Sequence, residues 1–173
     1  EALMELSTYL DLIQDRLTAY FDIYQPYDYH QNAFDLYAKS DMRNERYFAS
    51  KKIKVYAIEN KEHVFVRCVD SPTARVLDDF WQTLVQAAEE LPEPHEEHMS
   101  TIINGVLVTP QGVDVETQKA AEKLKHEKSF LFGLKGWVYI RLVIVDLAAE
   151  SLVHNKRGKE VRELYSPGKP VNL

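Results

Sequence analysis

The sequence predicts an α/β fold, bordering on α+β, in which a mixed β-sheet carries helices on both faces. The first observation is segment 137–147 (WVYIRLVIVDL), where nine of eleven residues are apolar and most are β-branched or aromatic. Such a run is typical of a strand buried on both faces. The second is that amphipathic helical patterns elsewhere in the chain can supply a layer on each face. We therefore expect residues 137–147 to form the central strand.

Length and composition place limits on organisation and partners. The chain has 173 residues, enough for one domain over 1–173, and we expect a loose tail at 167–173. Cys68 is the one cysteine, so nothing indicates an oxidising compartment, and without a signal peptide or apolar span the expected location is cytoplasmic. Twenty-seven acidic and twenty-one basic residues give a net charge of −6, which counts against general nucleic-acid binding.

The N-terminal forty residues predict a helix followed by an aromatic region. Apolar residues recur at steps of three and four, which is typical of a packing helix; they are Leu3, Leu6, Leu10, Ile13, Leu17 and Tyr20. The aromatic region 20–37 is interpreted as the irregular rim of a core, with stacking of a ligand or a base as the alternative. A first short strand is expected over 34–38 and a turn over 43–46.

Two strand-like runs, 53–58 and 63–69, flank a polar loop at 59–62 and predict a β-hairpin. In the expected register Tyr56 faces Phe65 and Lys54 faces Arg67, which sets two like charges side by side at a cost in stability. One explanation is that long side chains carry both charges to solvent or that nearby acids neutralise them. The other is a concave anion-binding surface on which Arg67 offers a planar fork to carboxylate or phosphate.

The second half of the chain alternates helix and strand signals. Ser71 followed by Pro72 predicts the start of a helix with an apolar stripe to residue 91. Segment 101–109 predicts a buried strand in which Gly105 allows close approach of a neighbour. Asp114 is expected to cap a helix over 115–128. A short strand is expected at 151–154, and segment 159–165 is either an edge strand or a helical turn.

Motifs give mainly negative information. The glycine-rich phosphate loops GxxxxGK[ST] and GxGxxG and the GxSxG elbow are absent, and no cofactor is indicated. His95 and His98 in HEEH are three residues apart. They are interpreted as ordinary surface residues at a helix start, with a metal site as the alternative that lacks a third ligand. Arg141, in the middle of the central strand, needs an acid or carbonyl partner other than Asp146, which points to the opposite face. It is either a structural ion pair or a ligand-facing arginine.

Four stretches resemble a family of uncharacterised bacterial domains: RYFASKKIKVYAIENKEHVFV, PHEEHMST, FGLKGW and NKRGKEV. That resemblance covers most of the chain and implies no activity. The order of elements is also similar to the core of the restriction-endonuclease-like (PD-(D/E)XK) nucleases. The resemblance places Lys54 at the position of the catalytic aspartate, Arg67 at the glutamate and Val69 at the lysine. It therefore implies a nuclease-like fold without the carboxylates that bind the metal.

Three classes of function follow. The preferred class is a non-catalytic domain that binds a protein partner or an anionic ligand through Lys54, Tyr56, Phe65, Arg67 or Arg141. The second is a metal-dependent hydrolase or nuclease-like enzyme, acting through His95 and His98 or through residues without a recognisable motif. The third is a nucleic-acid-binding domain whose basic residues are Lys51, Lys52, Lys54, Lys156, Arg157 and Lys159.

Overall fold

The computed structural model describes residues 3–40, 60–93, 100–130 and 136–168. In chain order the elements are α1 (Leu6–Leu17), β1 (Phe21–Tyr24), β2 (Tyr27–Tyr29), β3 (Asn32–Phe34), β4 (Leu36–Ser40), β5 (Asn60–Cys68), α2 (Ala74–Glu90), β6 (Ser100–Thr109), α3 (Val115–Lys123), β7 (Glu127–Ser129), β8 (Trp137–Asp146), β9 (Ser151–His154), a 3₁₀ helix (Arg157–Val161) and α4 (Arg162–Tyr165).

The main sheet has seven strands in the order β1-β4-β5-β6-β8-β7, and β9 also pairs with β8. Strands β5, β6 and β8 are parallel, whereas β1, β4, β7 and β9 run antiparallel to their neighbours. Strand β8 has β6 on one side and β7 and β9 on the other, and it is buried from residue 140 to residue 146. The predicted central strand and the mixed α/β architecture are confirmed.

Helices cover both faces of this sheet, as the sequence predicts. Helices α2 and α3 pack on one face, over the rings and aliphatic side chains of Phe65, Ile103, Leu107 and Leu142. Helices α1 and α4 pack on the other, against valines of β5, β6 and β8. Gly105 lies directly beneath α2, where an added Cβ would overlap the side chain of Leu84, so the expected close approach is confirmed.

The two long helices on the first face begin at different kinds of cap. Helix α2 is capped by Thr73, whose hydroxyl accepts a hydrogen bond from the Val76 amide at 3.2 Å, and not by Ser71 as predicted. Both residues are hydroxyl-bearing, and the extended backbone of Thr73 decides between them. Asp114 caps α3 as predicted, but the helix ends at Lys123 because the chain then turns to form β7 along β8.

The predicted hairpin is corrected at its pairing. Residues 53–58 lie outside the described residues, and β5 begins at Asn60, inside the expected loop. The antiparallel neighbour of β5 is β4, which sets Tyr37 opposite Phe65, and β6 occupies the other edge of β5. The expected pairing of Phe65 with Tyr56 is therefore wrong. The ring centres of Tyr37 and Phe34 lie 4.9 and 5.1 Å from that of Phe65, so pairing with β4 buries Phe65 among aromatic rings. A rule that pairs neighbouring strand-like runs does not take this burial into account.

The chain ends differ in part from expectation. Helix α1 buries Tyr9, Ile13 and Leu17, whereas Leu3 precedes the helix and is exposed. The aromatic region forms β1 to β4 and is not irregular, and segment 159–165 takes the helical alternative. At the other terminus Arg16 donates hydrogen bonds to the carbonyl oxygens of Leu164, Ser166 and Gly168. The first residues of the expected tail thus contact α1.

The side chain of Asn155 is almost fully buried, and it connects β8 with the end of α3 and with the 3₁₀ helix. Its Oδ1 accepts hydrogen bonds from the amides of Leu142 and Gly158 at 3.0 and 2.7 Å. Its Nδ2 donates to the carbonyl oxygens of Leu124 and Ile140, both at 3.1 Å. The Asn155 side chain therefore attaches the start of the 3₁₀ helix and the end of α3 to the central strand.

Candidate functional site

The three parallel strands end side by side, and the loops that follow them border an open cleft of about 590 Å³. Its walls include Ser71, Thr73, Gln111, Gly112, Asp114 and Asp146. These residues follow β5, follow β6, or end β8. The carboxyl ends of parallel strands are the usual position for ligand sites in α/β sheets, since the loops there converge from several strands. We call this feature the carboxyl-end cleft.

Hydrogen bonds to the side chain and the backbone of Thr109 connect the loops around the carboxyl-end cleft. The Thr109 hydroxyl donates to the carbonyl oxygen of Asp70 at 3.1 Å and accepts from the amide of Gln111 at 3.3 Å. The amide of Leu147 donates to the Thr109 carbonyl oxygen at 3.0 Å. Thr109, with no exposed surface, therefore ties together the loops that follow β5, β6 and β8. The loops that form the cleft are thus fixed to one another at the end of the sheet.

Two helices begin at the cleft, and side chains already satisfy one amide at each start. The Thr73 hydroxyl accepts a hydrogen bond from the Val76 amide at the start of α2. At the start of α3, Asp114 Oδ1 accepts one from the Thr117 amide at 2.7 Å. The hydrogen bond from the Thr117 amide is the main cause that lowers the pKa of Asp114. Asp114 thus remains an anion at neutral pH, beside the positive end of the α3 dipole.

Asp146 is the most buried charged group of the cleft, since only 4% of it is exposed. Its Oδ1 accepts a hydrogen bond from the Ala149 amide at 2.9 Å. Within the described part of the chain, Oδ2 receives no hydrogen bond. The neighbouring Gly112 has a left-handed φ of 95°, and a Cβ there would lie 3.8 Å from Oδ2. The loop after β6 therefore passes this oxygen without a side chain and leaves it open to the cleft.

Arg141 has the acidic partners that the sequence predicted. On the face of β8 opposite Asp146, its Nη1 donates to Glu62 Oε1 at 2.5 Å and its Nε donates to Glu160 Oε2 at 2.8 Å. Asn104 and Tyr139 also contact the guanidinium. With 7% of the residue exposed and two carboxylates in contact, this is a structural ion pair. It does not face the cleft.

Of the other predicted ligand residues, Phe65 and Arg67 lie in the described chain, and both pack against Phe34. Phe65 is 1% exposed and packs among Tyr29, Phe34 and Tyr37, so a ligand does not reach it. The guanidinium of Arg67 lies 4.4 Å from the centre of the Phe34 ring, and its Nε donates to a backbone carbonyl oxygen. Burial lowers the pKa of Arg67, and the nearby carboxylates of Asp35 and Asp79 partly offset this by raising it.

Four predicted site residues cannot be compared with the structure. Lys54, Tyr56, His95 and His98 lie outside the described residues. Among the residues that are described, no group of three or more histidine, cysteine, aspartate or glutamate side chains could hold a metal ion.

A second buried polar pair, on the α2 face, lies away from the cleft. The Tyr37 hydroxyl and His63 Nδ1 are 2.6 Å apart, and in residues 3–40, 60–93, 100–130 and 136–168 no group hydrogen-bonds His63 Nε2. Burial, then Lys61 and Lys39, lower the pKa of His63 to about 4, against a smaller opposing effect of Glu93. The imidazole is therefore neutral at physiological pH.

Comparison with known proteins identifies the family but no activity. A family model described as a domain of unknown function (DUF8052) matches residues 5–167. The chain belongs to this family. The resemblance to an uncharacterised domain family is thus confirmed, and no curated protein and no solved structure matches the sequence. The comparisons give no support to the nuclease-like resemblance. No described helix is long and apolar enough to cross a membrane.

Sequence reasoning missed the carboxyl-end cleft, although one signal for it was present. Asp146 follows nine strand residues, at the carboxyl end of the run that predicts the central strand. In open α/β sheets a polar residue at that point is a candidate ligand contact. The sequence does not show that Gly112, more than thirty residues earlier, lies beside it.

Proposed function

We propose that this member of the DUF8052 family is a non-catalytic binding domain that holds a small polar organic molecule in the carboxyl-end cleft. The observation that supports this most directly is the open Oδ2 of Asp146. Asp146 as a whole is largely buried, but its Oδ2 is open to the cleft and can accept a hydrogen bond from a ligand there. The hydrogen bond from the Ala149 amide to Oδ1 holds the carboxylate in this orientation.

The size and position of the cleft also support this proposal. Its volume of about 590 Å³ lies within the range of roughly 300–1,000 Å³ that small-molecule sites occupy. The loops of the cleft are tied to one another through Thr109, so a ligand would meet a largely preformed site. Hydroxyl and amide groups of Ser71, Thr73 and Gln111 add neutral hydrogen-bonding partners around the open carboxylate.

The binding class is preferred to catalysis because of the chemistry of the walls. Among the described residues that line the cleft, none is a histidine, cysteine or lysine, so Ser71 and Thr73 have no imidazole or amine beside them as a general base. The carboxylates in the cleft also disfavour an anionic ligand there, whereas the anion-binding surface suggested at Lys54 and Arg67 is a different place and stays a prediction. A protein partner remains the alternative within the binding class, and cytoplasmic location stays a prediction from the sequence.

Nuclear magnetic resonance tests this proposal with a chemically mixed set of fragments that contains cations, neutral polyols and anions. We expect at least one fragment to shift the amide signals of Gly112, Ala149 and Thr73, which surround the cleft. Asp146→Asn should weaken that response. The matched control Asp11→Asn removes an exposed carboxylate of α1 and should leave it unchanged. Fragments that shift only signals remote from the cleft would refute the proposal.

A further inference from the structure

We infer that the ligand of the carboxyl-end cleft carries a positive charge, as an ammonium or guanidinium group that pairs with Asp146. This inference rests on the proposed function and adds the chemical class of the ligand. It starts from the charges on the walls. Asp114 and Asp146 are the charged residues among those that line the cleft in the described chain, and no lysine or arginine is among them. A cation is attracted to such a site and an anion is repelled.

The helix starts at the cleft do not reverse this preference. A free helix N-terminus attracts anions through its unpaired amides and its dipole. Here Asp114 already places a carboxylate at the start of α3, where it accepts from the Thr117 amide. The Thr73 hydroxyl accepts from an amide in the first turn of α2. Each helix start therefore has one amide already paired with a side chain, and among the described residues that line the cleft none carries a positive charge to pair with Asp146.

The environment of Asp146 makes a charged partner more effective than a neutral one. The residue is 4% exposed, and its single hydrogen bond comes from the Ala149 amide. Its Oδ2 is open to the cleft, and because a charge-assisted hydrogen bond is stronger than a neutral one, a cationic donor stabilises this carboxylate more than a hydroxyl does. Hydrogen bonds to charged groups contribute more free energy than hydrogen bonds between neutral groups.

The size of the cleft indicates an organic cation in place of a bare metal ion. A volume of about 590 Å³ holds a molecule of several carbon atoms beside Asp146. The uncharged groups on the walls, Ser71, Thr73 and Gln111, suit the polar or aliphatic remainder of such a molecule. An ammonium group has three donors, so it can bond Asp146 Oδ2 and neighbouring hydroxyl or carbonyl oxygens at the same time.

Three probes with the same four-carbon chain test the charge preference directly. They are 1,4-diaminobutane, 1,4-butanediol and succinate, which end in ammonium, hydroxyl and carboxylate groups. The full chain is titrated with each probe while amide signals are followed by nuclear magnetic resonance. We expect diaminobutane to bind in the cleft at least about tenfold more tightly than butanediol, the ratio that corresponds to 1.4 kcal/mol. Succinate should give no response in the cleft.

Variants and salt then connect the preference to Asp146. Asp146→Asn keeps an acceptor for the Ala149 amide and removes the charge, so diaminobutane affinity should fall at least about tenfold. Asp114→Asn keeps a good helix cap and should have a smaller effect. Asp11→Asn is the control on an exposed helix face. The affinity of the wild-type chain should also decrease with salt, which supports the ion pair even if Asp146→Asn does not fold.

The possible outcomes separate the two proposals. If butanediol or succinate binds in the cleft as tightly as diaminobutane, the inferred charge is wrong while the cleft remains a binding site. If diaminobutane binds but neither Asp146→Asn nor salt weakens it, the pairing with Asp146 is wrong. If neither these probes nor the mixed fragments shift the cleft signals, the proposed function and the inferred ligand class both fail.

Discussion

Buried His63 should make the stability of the protein fall as the pH is lowered below neutral. Burial, then Lys61 and Lys39, lower the pKa of this histidine from 6.5 to about 4 in the folded chain. Between these two pKa values the unfolded chain binds a proton that the folded chain does not, so acid favours unfolding. A difference of 2.5 pH units corresponds to roughly 3 kcal/mol at 1.36 kcal/mol per unit. About 2 kcal/mol of this should be lost between about pH 7 and about pH 5.

Urea unfolding at these two pH values measures the effect. His63→Asn replaces the imidazole by a side chain whose oxygen can still accept from the Tyr37 hydroxyl, but which does not titrate. We expect the variant to be less sensitive to pH than the wild type by about 2 kcal/mol. Carboxyl groups that titrate in the same range contribute to both proteins, so the difference isolates His63.

The matched control is Tyr37→Phe, which removes the hydroxyl partner and leaves the buried imidazole in place. This variant should be less stable at both pH values, yet it should keep most of the pH dependence because burial is the largest cause of the lowered pKa. Equal losses of stability for the wild type and His63→Asn between about pH 7 and about pH 5 would refute the reasoning.

Three further predictions concern the framework. Asn155→Ala should lower the free energy of unfolding by at least about 3 kcal/mol, because it removes a partner from three buried backbone groups and one partly buried one, and chemical denaturation measures this. Arg141→Met should cost about 3–5 kcal/mol by leaving Glu62 buried without its partner, and adding Glu62→Gln should recover part of that loss in a double-mutant cycle. Gln31→Gly should stabilise the protein by roughly 0.5–1 kcal/mol, because Gln31 has a φ of 67° in a two-residue hairpin turn. The same replacement at the exposed α2 position Gln82 should destabilise it by about 1 kcal/mol.

The framework of the sheet could be predicted because it depends on local pattern. The apolar runs that form β6 and β8 contain too many buried β-branched residues to be anything but inner strands. Asp114 was recognisable as a cap because an acidic side chain precedes a helical pattern. Arg141 required an acid for electrostatic reasons alone, although the sequence could not identify that acid as Glu62, nearly eighty residues away.

The strand pairing and the cleft could not be predicted because both depend on contacts distant in sequence. The hairpin rule prefers the strand-like run nearest to β5, whereas β5 pairs with β4, whose Tyr37 packs on Phe65. The cleft depends on the close approach of Gly112 to Asp146, and no sequence motif around either residue predicts this contact. Ser71 and Thr73 are equally good caps by composition, so the choice between them depends on backbone geometry.

The two buried charges of β8 show how a structural group differs from a candidate binding group on one strand. Arg141 and Asp146 lie on opposite faces, and each is more than nine-tenths buried. Arg141 is surrounded by the oxygens of Glu62 and Glu160, so its burial is compensated within the protein. Asp146 has one amide donor from the described chain, and its second oxygen opens into the cleft. Because the oxygens around Arg141 leave it no room for a further partner, whereas Asp146 Oδ2 can accept a hydrogen bond from the cleft, the difference in partners supports assigning stability to Arg141 and ligand binding to Asp146.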